Sequence, residues 1–177
     1  MFTEQDMLDY QTLTYLSSEQ ILTVHKKFQS LDPRSTEGEK NPILPIETVL
    51  QCPELRVNPF KDRIVKVFCS NPSYMSFEEF LDMMSVFSDK TPMNVKAQFA
   101  FKIYDFDDDD MISREDVAEL INRLKGDNEM NDEDMEQILE NVMSEADIDA
   151  DGFVTYPEFE HMIAKCPEFM HSFRIRM

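Results

Sequence analysis

Glycine, cysteine and tryptophan are scarce in this sequence. Only 3 of its 177 residues are glycine, 3 are cysteine and none is tryptophan. No glycine-rich loop that could cradle a phosphate is present, and no nucleophile–base motif appears, which argues against an enzyme. Cys52, Cys69 and Cys166 form no C-x-x-C pair. An odd, sparse set of this kind predicts reduced thiols in the cytosol rather than a disulfide framework.

Long apolar runs are also missing. The sequence therefore predicts neither a transmembrane helix nor a signal peptide. Residue 2 is Phe, so the glycine that N-myristoylation requires after the initiator Met is not there. Hydrophobic residues nevertheless make up 42% of the chain, which argues against overall disorder. A chain of 177 residues is long enough for one core or for two small lobes.

Basic residues are also scarce, and the excess of negative charge is unevenly distributed along the chain. The net charge is −19; residues 1–104 carry 11 Lys+Arg against 14 Asp+Glu, whereas residues 105–177 carry 6 against 22. Such a balance repels nucleic acid. The second part of the chain concentrates the carboxylates that cation sites need.

The strongest motif is a twelve-residue acidic segment, residues 147–158, with the sequence D-I-D-A-D-G-F-V-T-Y-P-E; we call it the second acidic loop. Its candidate metal ligands, at loop positions 1, 3, 5, 7 and 12, are Asp147, Asp149, Asp151, Phe153 and Glu158. Phe153 would offer its backbone carbonyl and the others carboxylate oxygens, which are the hard ligands that calcium prefers. Gly152 permits the positive φ that wraps the loop round an ion. The pattern predicts a calcium-binding helix–loop–helix unit, or EF-hand.

A first acidic loop, residues 105–116, follows the same pattern with two departures. Its candidate ligands are Asp105, Asp107, Asp109, Met111 (through its carbonyl) and Asp116. Asp110 stands where the second loop has Gly152, and Asp adopts the positive φ of that position only at some cost. Asp116 is one methylene shorter than Glu and closes less readily with both oxygens, so magnesium becomes competitive with calcium. We expect Mg²⁺ or Ca²⁺ here, and a strand bridge between Ile112 and Val154 at position 8 of the two loops.

The first half of the chain predicts helices joined by two loops that lack metal ligands. In residues 32–45 prolines intrude and alternating oxygen ligands are absent, although Glu47 stands where a closing carboxylate would belong. Residues 70–79 end in Glu79 with Met75 at position 8, but Pro72 at position 5 cannot ligate. We predict that neither loop binds metal. Thr91-Pro92 marks a lobe boundary.

Apolar residues at helical spacing outline the packing faces. The N-terminal helix, over residues 3–15, is expected to point these residues inward: Met7, Leu8, Leu13 and Tyr15. The helix after the first acidic loop carries a stripe at i, i+3, i+4 and i+7: Val117, Leu120, Ile121 and Leu124. Cys166-Pro167 ends the last helix, and a short tail follows with Phe169, Phe173 and Ile175. We predict that this tail lies over an apolar groove as a plug that a target helix displaces; a permanent cap on the core is the alternative.

Several stretches of the chain resemble those of a known family. The stretches CPELRVNPFKDRIVKVF, FEEFLDMMSVFSD, KAQFAFKIYDFDDDDMISRED, EADIDADG and FMHSFRIRM are similar to those of the calcium- and integrin-binding protein family, above all its type-2 and type-3 members. The resemblance covers nearly the whole chain. It implies four helix–loop–helix units, of which only the last two bind metal, with Asp closing the third site as Asp116 does here.

The resemblance also implies partners. Members bind amphipathic helices from cytoplasmic parts of membrane proteins, among them integrin α tails, and the type-2 and type-3 members are linked to transmembrane channel-like mechanotransduction channels in sensory cells. Members commonly begin Met-Gly and carry a myristoyl group, and Phe2 departs from that pattern. We expect a cytoplasmic protein, monomeric or weakly dimeric, that reaches the plasma membrane through its partner.

The sequence thus predicts an all-α protein with two lobes of paired EF-hands and short β-bridges between paired loops. Residues 1–92 form the lobe with two degenerate units, residues 93–166 the metal-binding lobe, and residues 167–177 the tail. The leading hypothesis is a calcium- and magnesium-binding adaptor for a target helix. A diffusible cytosolic calcium buffer without a partner groove is the alternative.

Overall fold

The computed structural model describes residues 2–166, 168 and 173, and these form two compact units. The first unit runs to Pro92 and includes Phe173, and the second begins at Met93. The elements of the first unit are α1 (Glu4–Leu13), α2 (Ser18–Leu31), α3 (Pro33–Thr36), β1 (Ile43–Pro45), α4 (Ile46–Val49), α5 (Pro53–Arg56), α6 (Lys61–Phe68), β2 (Tyr74–Ser76) and α7 (Phe77–Val86). Those of the second unit are α8 (Met93–Tyr104), β3 (Ile112–Ser113), α9 (Arg114–Lys125), α10 (Asp132–Ala146), β4 (Phe153–Val154) and α11 (Tyr156–Ala164). The predicted all-α class with paired loops is confirmed.

An aromatic core holds the first unit together. In α2 the side chains at i, i+3 and i+7, Ile21, Val24 and Phe28, are fully buried. Phe28 packs against Phe80 of α7 with ring centroids 5.0 Å apart. Burial of such side chains is the main favourable contribution to folding, roughly 1.5–3 kcal/mol for each.

Helix α1 is attached by few anchors rather than by an apolar face. The prediction for its apolar residues was wrong in part, because Leu8, Leu13 and Tyr15 are 57%, 76% and 41% exposed. Phe2 stacks with Phe77 at 5.8 Å instead, and the Tyr10 hydroxyl donates to Glu78 at 3.1 Å. Met7 and Tyr10, three residues apart, are half-buried, whereas Leu8 lies on another side of the helix and Leu13 is its last residue.

Each unit contains one two-stranded antiparallel sheet that joins its paired loops. In the first unit Leu44 lies opposite Met75, and in the second Ile112 lies opposite Val154. The predicted pairing of Ile112 with Val154 is confirmed. All four of these side chains are buried, since 5% exposure is the highest among them.

The helices of the second unit are amphipathic. Val117 in α9, Leu139 and Met143 in α10, and Phe159 in α11 are buried. The predicted stripe on α9 does not extend to its end, because Leu124 is 62% exposed. It lies one residue before the end of the helix, where the polar segment 126–131 begins.

The described part of the C-terminal segment contacts the first unit. Phe173 is buried, and its ring centroid lies 4.8 Å from that of Phe87, the residue that caps the end of α7. Two other apolar residues of the predicted tail, Phe169 and Ile175, lie outside the described residues.

Candidate metal sites and an apolar groove

The two acidic loops share one backbone conformation. Positive φ angles occur at the fourth and sixth positions of both: Asp108 (61°) and Asp110 (66°) in the first, Ala150 (58°) and Gly152 (92°) in the second. Asp110 therefore adopts the turn that Gly152 makes, as expected for a residue that tolerates the left-handed region. The non-glycine residue in the first loop does not prevent the loop from wrapping.

The first carboxylate of each loop organises that turn. Asp105 accepts from the backbone N–H groups of Asp109 (3.2 Å) and Asp110 (3.0 Å). Asp147 accepts equivalently from Asp151 (3.2 Å) and Gly152 (2.9 Å). These bonds draw the backbone round the side of the loop where the carboxylates converge.

The sequence-predicted Asp ligands come together in two clusters. In each of Asp105/Asp107/Asp109 and Asp147/Asp149/Asp151, one oxygen from every carboxylate lies within 4.8 Å of the others. Burial and the neighbouring Asp109 raise the pKa of Asp105. Partial desolvation, followed by the charges of Asp151 and Glu158, raises the pKa of Asp149. Because like charges at this spacing repel one another, each cluster suits a divalent cation with oxygen ligands.

The closing residues are buried and already held in place. Asp116 is 4% exposed; its Oδ1 accepts from the Phe106 amide (2.9 Å) and its Oδ2 from the amide and hydroxyl of Ser113 (2.9 and 2.7 Å). Glu158 is 9% exposed. Its Oε1 accepts from the amides of Ile148 (2.8 Å) and Asp149 (3.4 Å).

Glu158 is bound on its other side by Thr155, whose amide and hydroxyl donate to Oε2 at 2.8 and 2.6 Å. These bonds lower the pKa of Glu158 to about 2. The helix-capping roles of Ser113 and Thr155 were not predicted from the sequence. Each residue nevertheless begins an S/T-x-x-D/E pattern, which is typical of a capping box. The residue that closes each loop is therefore also the third residue of its exit helix and completes the capping box there.

Of the two residues expected to ligate through backbone carbonyls, one lies in the sheet and the other directly before it. Phe153 lies in β4 opposite Ser113, and Met111 directly precedes β3. Their amides donate to Asp151 and Asp109, each at 2.9 Å, which fixes the peptide units between the third carboxylate and the sheet.

Comparison with known proteins agrees with this geometry. Residues 94–164 match the family described as an EF-hand domain pair. A Drosophila melanogaster protein named calcium and integrin-binding family member 2 is 42% identical, over 99% of this chain and 96% of that protein. The proteins of the same name from Homo sapiens and Danio rerio are 39% and 34% identical, each over 100% of this chain and 97% of the relative.

The chain belongs to the calcium and integrin-binding family.

The two loops of the first unit of this family member pair through a short sheet as the acidic loops do, but among the described residues they bring no three carboxylates together. Glu79 accepts from the Ser70 amide at 2.8 Å and from the Ser76 amide at 2.8 Å. These contacts parallel those of Glu158 at the entry and exit of its own loop. Glu79 therefore closes residues 68–79 through hydrogen bonds made by the chain itself.

The sheet register corrects the position assigned to Glu47. Because Leu44 pairs with Met75, Leu44 takes position 8 and Thr48 the closing position. Glu47 is exposed on α4. The miscount of one residue arose because the prolines of this loop hide its alignment with the acidic loops.

An apolar groove lies within the second unit of this family member. It has a volume of about 220 Å³ and is lined by side chains that include Leu120, Ile121, Val142 and Met162, all half-buried. Ile112 and Val154 of the sheet contribute to its wall. The lining is almost wholly apolar, so an occupant would be bound chiefly by hydrophobic contact.

Among the described residues, no helix has both the length and the apolar character needed to cross a membrane.

Proposed function

We propose that this protein is a calcium- and magnesium-binding EF-hand adaptor whose second unit binds an amphipathic helix from a cytoplasmic segment of a membrane protein. The cation ligands are the ten residues predicted from the sequence, with Ca²⁺ in the second acidic loop and Mg²⁺ or Ca²⁺ in the first. The proposal is a binding function rather than a catalytic one.

The observation that carries this proposal is the continuity between the loops and the groove. Asp116 and Glu158 close the loops, and the next residue after each, Val117 and Phe159, lines the groove. Because each closing residue and its groove-lining neighbour share the first turn of the exit helix, a cation bound by the carboxylate acts directly on the wall of the groove. The shape of the groove then depends on cation binding, as a sensor requires and a buffer does not.

The occupant follows from the chemistry of the groove and its surroundings. Residues 93–166 carry 6 Lys+Arg against 21 Asp+Glu, so the apolar lining is set in a strongly acidic unit. A helix with apolar residues at i, i+3, i+4 and i+7 and basic residues on its flanks complements both features. An integrin α tail is the first choice, because the relatives are named for integrin binding. A cytoplasmic segment of a transmembrane channel-like protein is the second.

Titration of the protein with each peptide by calorimetry tests the proposal. We expect binding with Ca²⁺ or Mg²⁺ present and at least tenfold weaker binding in chelator. Leu120→Glu should abolish binding, because it places a charge in the groove. Leu124→Glu, one turn further along α9 and 62% exposed, is the matched control and should bind normally.

Equal binding by the two leucine variants would contradict the assignment of the groove. The alternative function, a calcium buffer, predicts cation binding with no peptide binding and no change in exposed apolar surface. A dye that binds such surface, measured with and without Ca²⁺, separates the two functions. The adaptor proposal also places the protein in the cytoplasm, at the plasma membrane through its partner, as a monomer or weak dimer.

A further inference from the structure

An arginine of the exit helix stacks on the entry of the first acidic loop. The guanidinium carbon of Arg123 lies 4.7 Å from the centroid of the Phe106 ring, within the range of a cation–π interaction. Its Nε donates to Glu119 at 2.7 Å, one turn earlier on α9. Arg123 is therefore held from the helix side and from the loop side.

Phe106 is also tied to the closing residue. Its amide donates to Asp116 Oδ1 at 2.9 Å. Asp116 and Arg123 are seven residues apart on α9, which places them on one side of the helix. Helix α9 thus contacts the loop entry in two ways. The Asp116 carboxylate binds the Phe106 backbone amide, and the Arg123 guanidinium stacks on the Phe106 ring.

The second acidic loop is built differently at the same positions. Its second residue, Ile148, is 63% exposed. Glu158, one methylene longer, reaches the amides of both Ile148 and Asp149. The stack occurs in the loop whose closing arm is short.

We infer that Arg123 is a positioning residue for the first acidic loop, and that its stack on Phe106 keeps the loop closed enough for the short Asp116 arm to reach a bound cation. This inference rests on the proposed function, since it presupposes that residues 105–116 bind a divalent cation. Arg123 itself does not coordinate the cation. It fixes the distance between exit helix and loop entry.

The sign of the expected effect separates positioning from simple electrostatics. A positive charge near an acidic loop opposes cation binding, so removal of the charge alone would raise affinity. Loss of the stack would lower affinity instead, by about two- to fivefold for an interaction of this kind near the surface. Substitution of Arg123 therefore gives opposite results under the two explanations.

The experiment is a titration of the full chain with Mg²⁺ in which backbone amide signals are monitored by NMR. The amides of Asp110 and Gly152, which donate to Asp105 and Asp147, report the two loops separately. We expect Arg123→Gln and Phe106→Leu each to weaken Mg²⁺ binding at the first loop about two- to fivefold, with the second loop unchanged. Lys125→Gln removes the same charge from the same helix without the stack, and should not weaken binding.

Two further measurements make the test specific. The Phe106 amide should exchange with solvent faster in Arg123→Gln without added cation, because the entry is less firmly held. The Arg123→Gln/Phe106→Leu variant should lose no more affinity than the weaker-binding single variant, since both changes remove one interaction. Asp116→Glu in the Arg123→Gln background should restore slow exchange of the Phe106 amide without added cation, because the longer arm does not need the stack.

Unchanged or tighter Mg²⁺ binding at the first loop in Arg123→Gln would overturn the inference, as would an equal loss in Lys125→Gln. If the wild-type Asp110 amide does not respond to Mg²⁺ or Ca²⁺, the proposed function of this loop fails, and the inference fails with it. The two failures are distinguishable. Failure of the inference alone requires that the wild-type first loop binds a cation, whereas failure of the proposed function means that it binds none.

Discussion

Ile112 and Val154 lie directly opposite each other in the antiparallel bridge between the two acidic loops. Each is buried, at 5% and 2% exposure, and each lies one residue before the capping residue of its exit helix. The bridge joins the loops through their backbones, and the paired side chains form part of the groove wall. The two candidate metal sites and the groove thus share these two residues.

Ile112→Ala should therefore reduce both stability and coupling between the sites. We expect a loss of about 2–4 kcal/mol in the free energy of unfolding for removal of this much buried side chain. Cation binding at one loop should also depend less on occupancy of the other. Chemical denaturation and calorimetric titration measure the two effects. Ile148→Ala, at an exposed isoleucine within the second acidic loop, should change stability by less than about 0.5 kcal/mol.

Glu158→Gln should sharply lower calcium affinity at the second acidic loop. The substitution removes a charge and one carboxylate oxygen at nearly constant shape, and the amide nitrogen cannot accept the bonds that Glu158 now accepts. Calorimetry should show the loss of calcium affinity, and the NMR signal of the Gly152 amide should show that the loss is at the second acidic loop. Glu145→Gln, on an exposed residue just before the loop, should bind as the wild type does. High-affinity binding preserved in Glu158→Gln would show that this residue does not close the site.

Asp116→Glu should shift the first acidic loop toward calcium. A longer arm closes more readily with both oxygens, and bidentate closure raises the coordination number that calcium prefers and magnesium does not. Competition titrations that follow the Asp110 amide measure the Ca²⁺/Mg²⁺ preference directly. Equal selectivity in wild type and variant would show that arm length does not set the preference.

Glu79→Gln should destabilise the first unit whether or not cations are present. Two amides, those of Ser70 and Ser76, donate to this carboxylate, and loss of such bonds costs about 1–2 kcal/mol. Glu47→Gln, on an exposed residue of the same unit, should have no measurable effect. A loss that appears only in chelator would contradict a cation-independent role.

The same carboxylate predicts a pH dependence. Burial raises the pKa of Glu79, but the hydrogen bonds from Ser76 and Ser70 outweigh it and the net shift is downward. A lowered folded-state pKa contributes stability above the unfolded value, near 4.3, and loses it as the pH falls through the folded value. The stability difference between wild type and Glu79→Gln should be constant above about pH 5 and should shrink below about pH 4. Thermal unfolding over this range measures it.

Phe173→Ala should lower the stability of the first unit by about 3 kcal/mol, because a buried aromatic ring is removed from its contact with Phe87. Leu13→Ala, at a residue 76% exposed, is the control in the same unit. Thermal unfolding measures both variants. An unchanged melting temperature in Phe173→Ala would show that this contact contributes nothing to the fold.

The alternating carboxylates allowed both acidic loops to be located from the sequence, because coordination needs fixed residue types at fixed spacing. The Ile112–Val154 pair followed from the same counting. Burial of the N-terminal helix could not be predicted in this way, since Leu8 and Leu13 have the same apolar character whether or not a neighbour covers them. The position of Glu47 depended on a strand register that local sequence does not reveal.

By itself the sequence determined the helix–loop–helix units, the converging Asp side chains and the short closing arm of Asp116, because each depends on residues close together in the chain. Only the tertiary structure decided that Glu79 accepts from the amides of Ser70 and Ser76, that Arg123 stacks on Phe106, and that Val117 and Phe159 line one groove. These relationships join residues on different elements. They depend on how the elements pack, and packing is a property of the whole unit rather than of any segment within it.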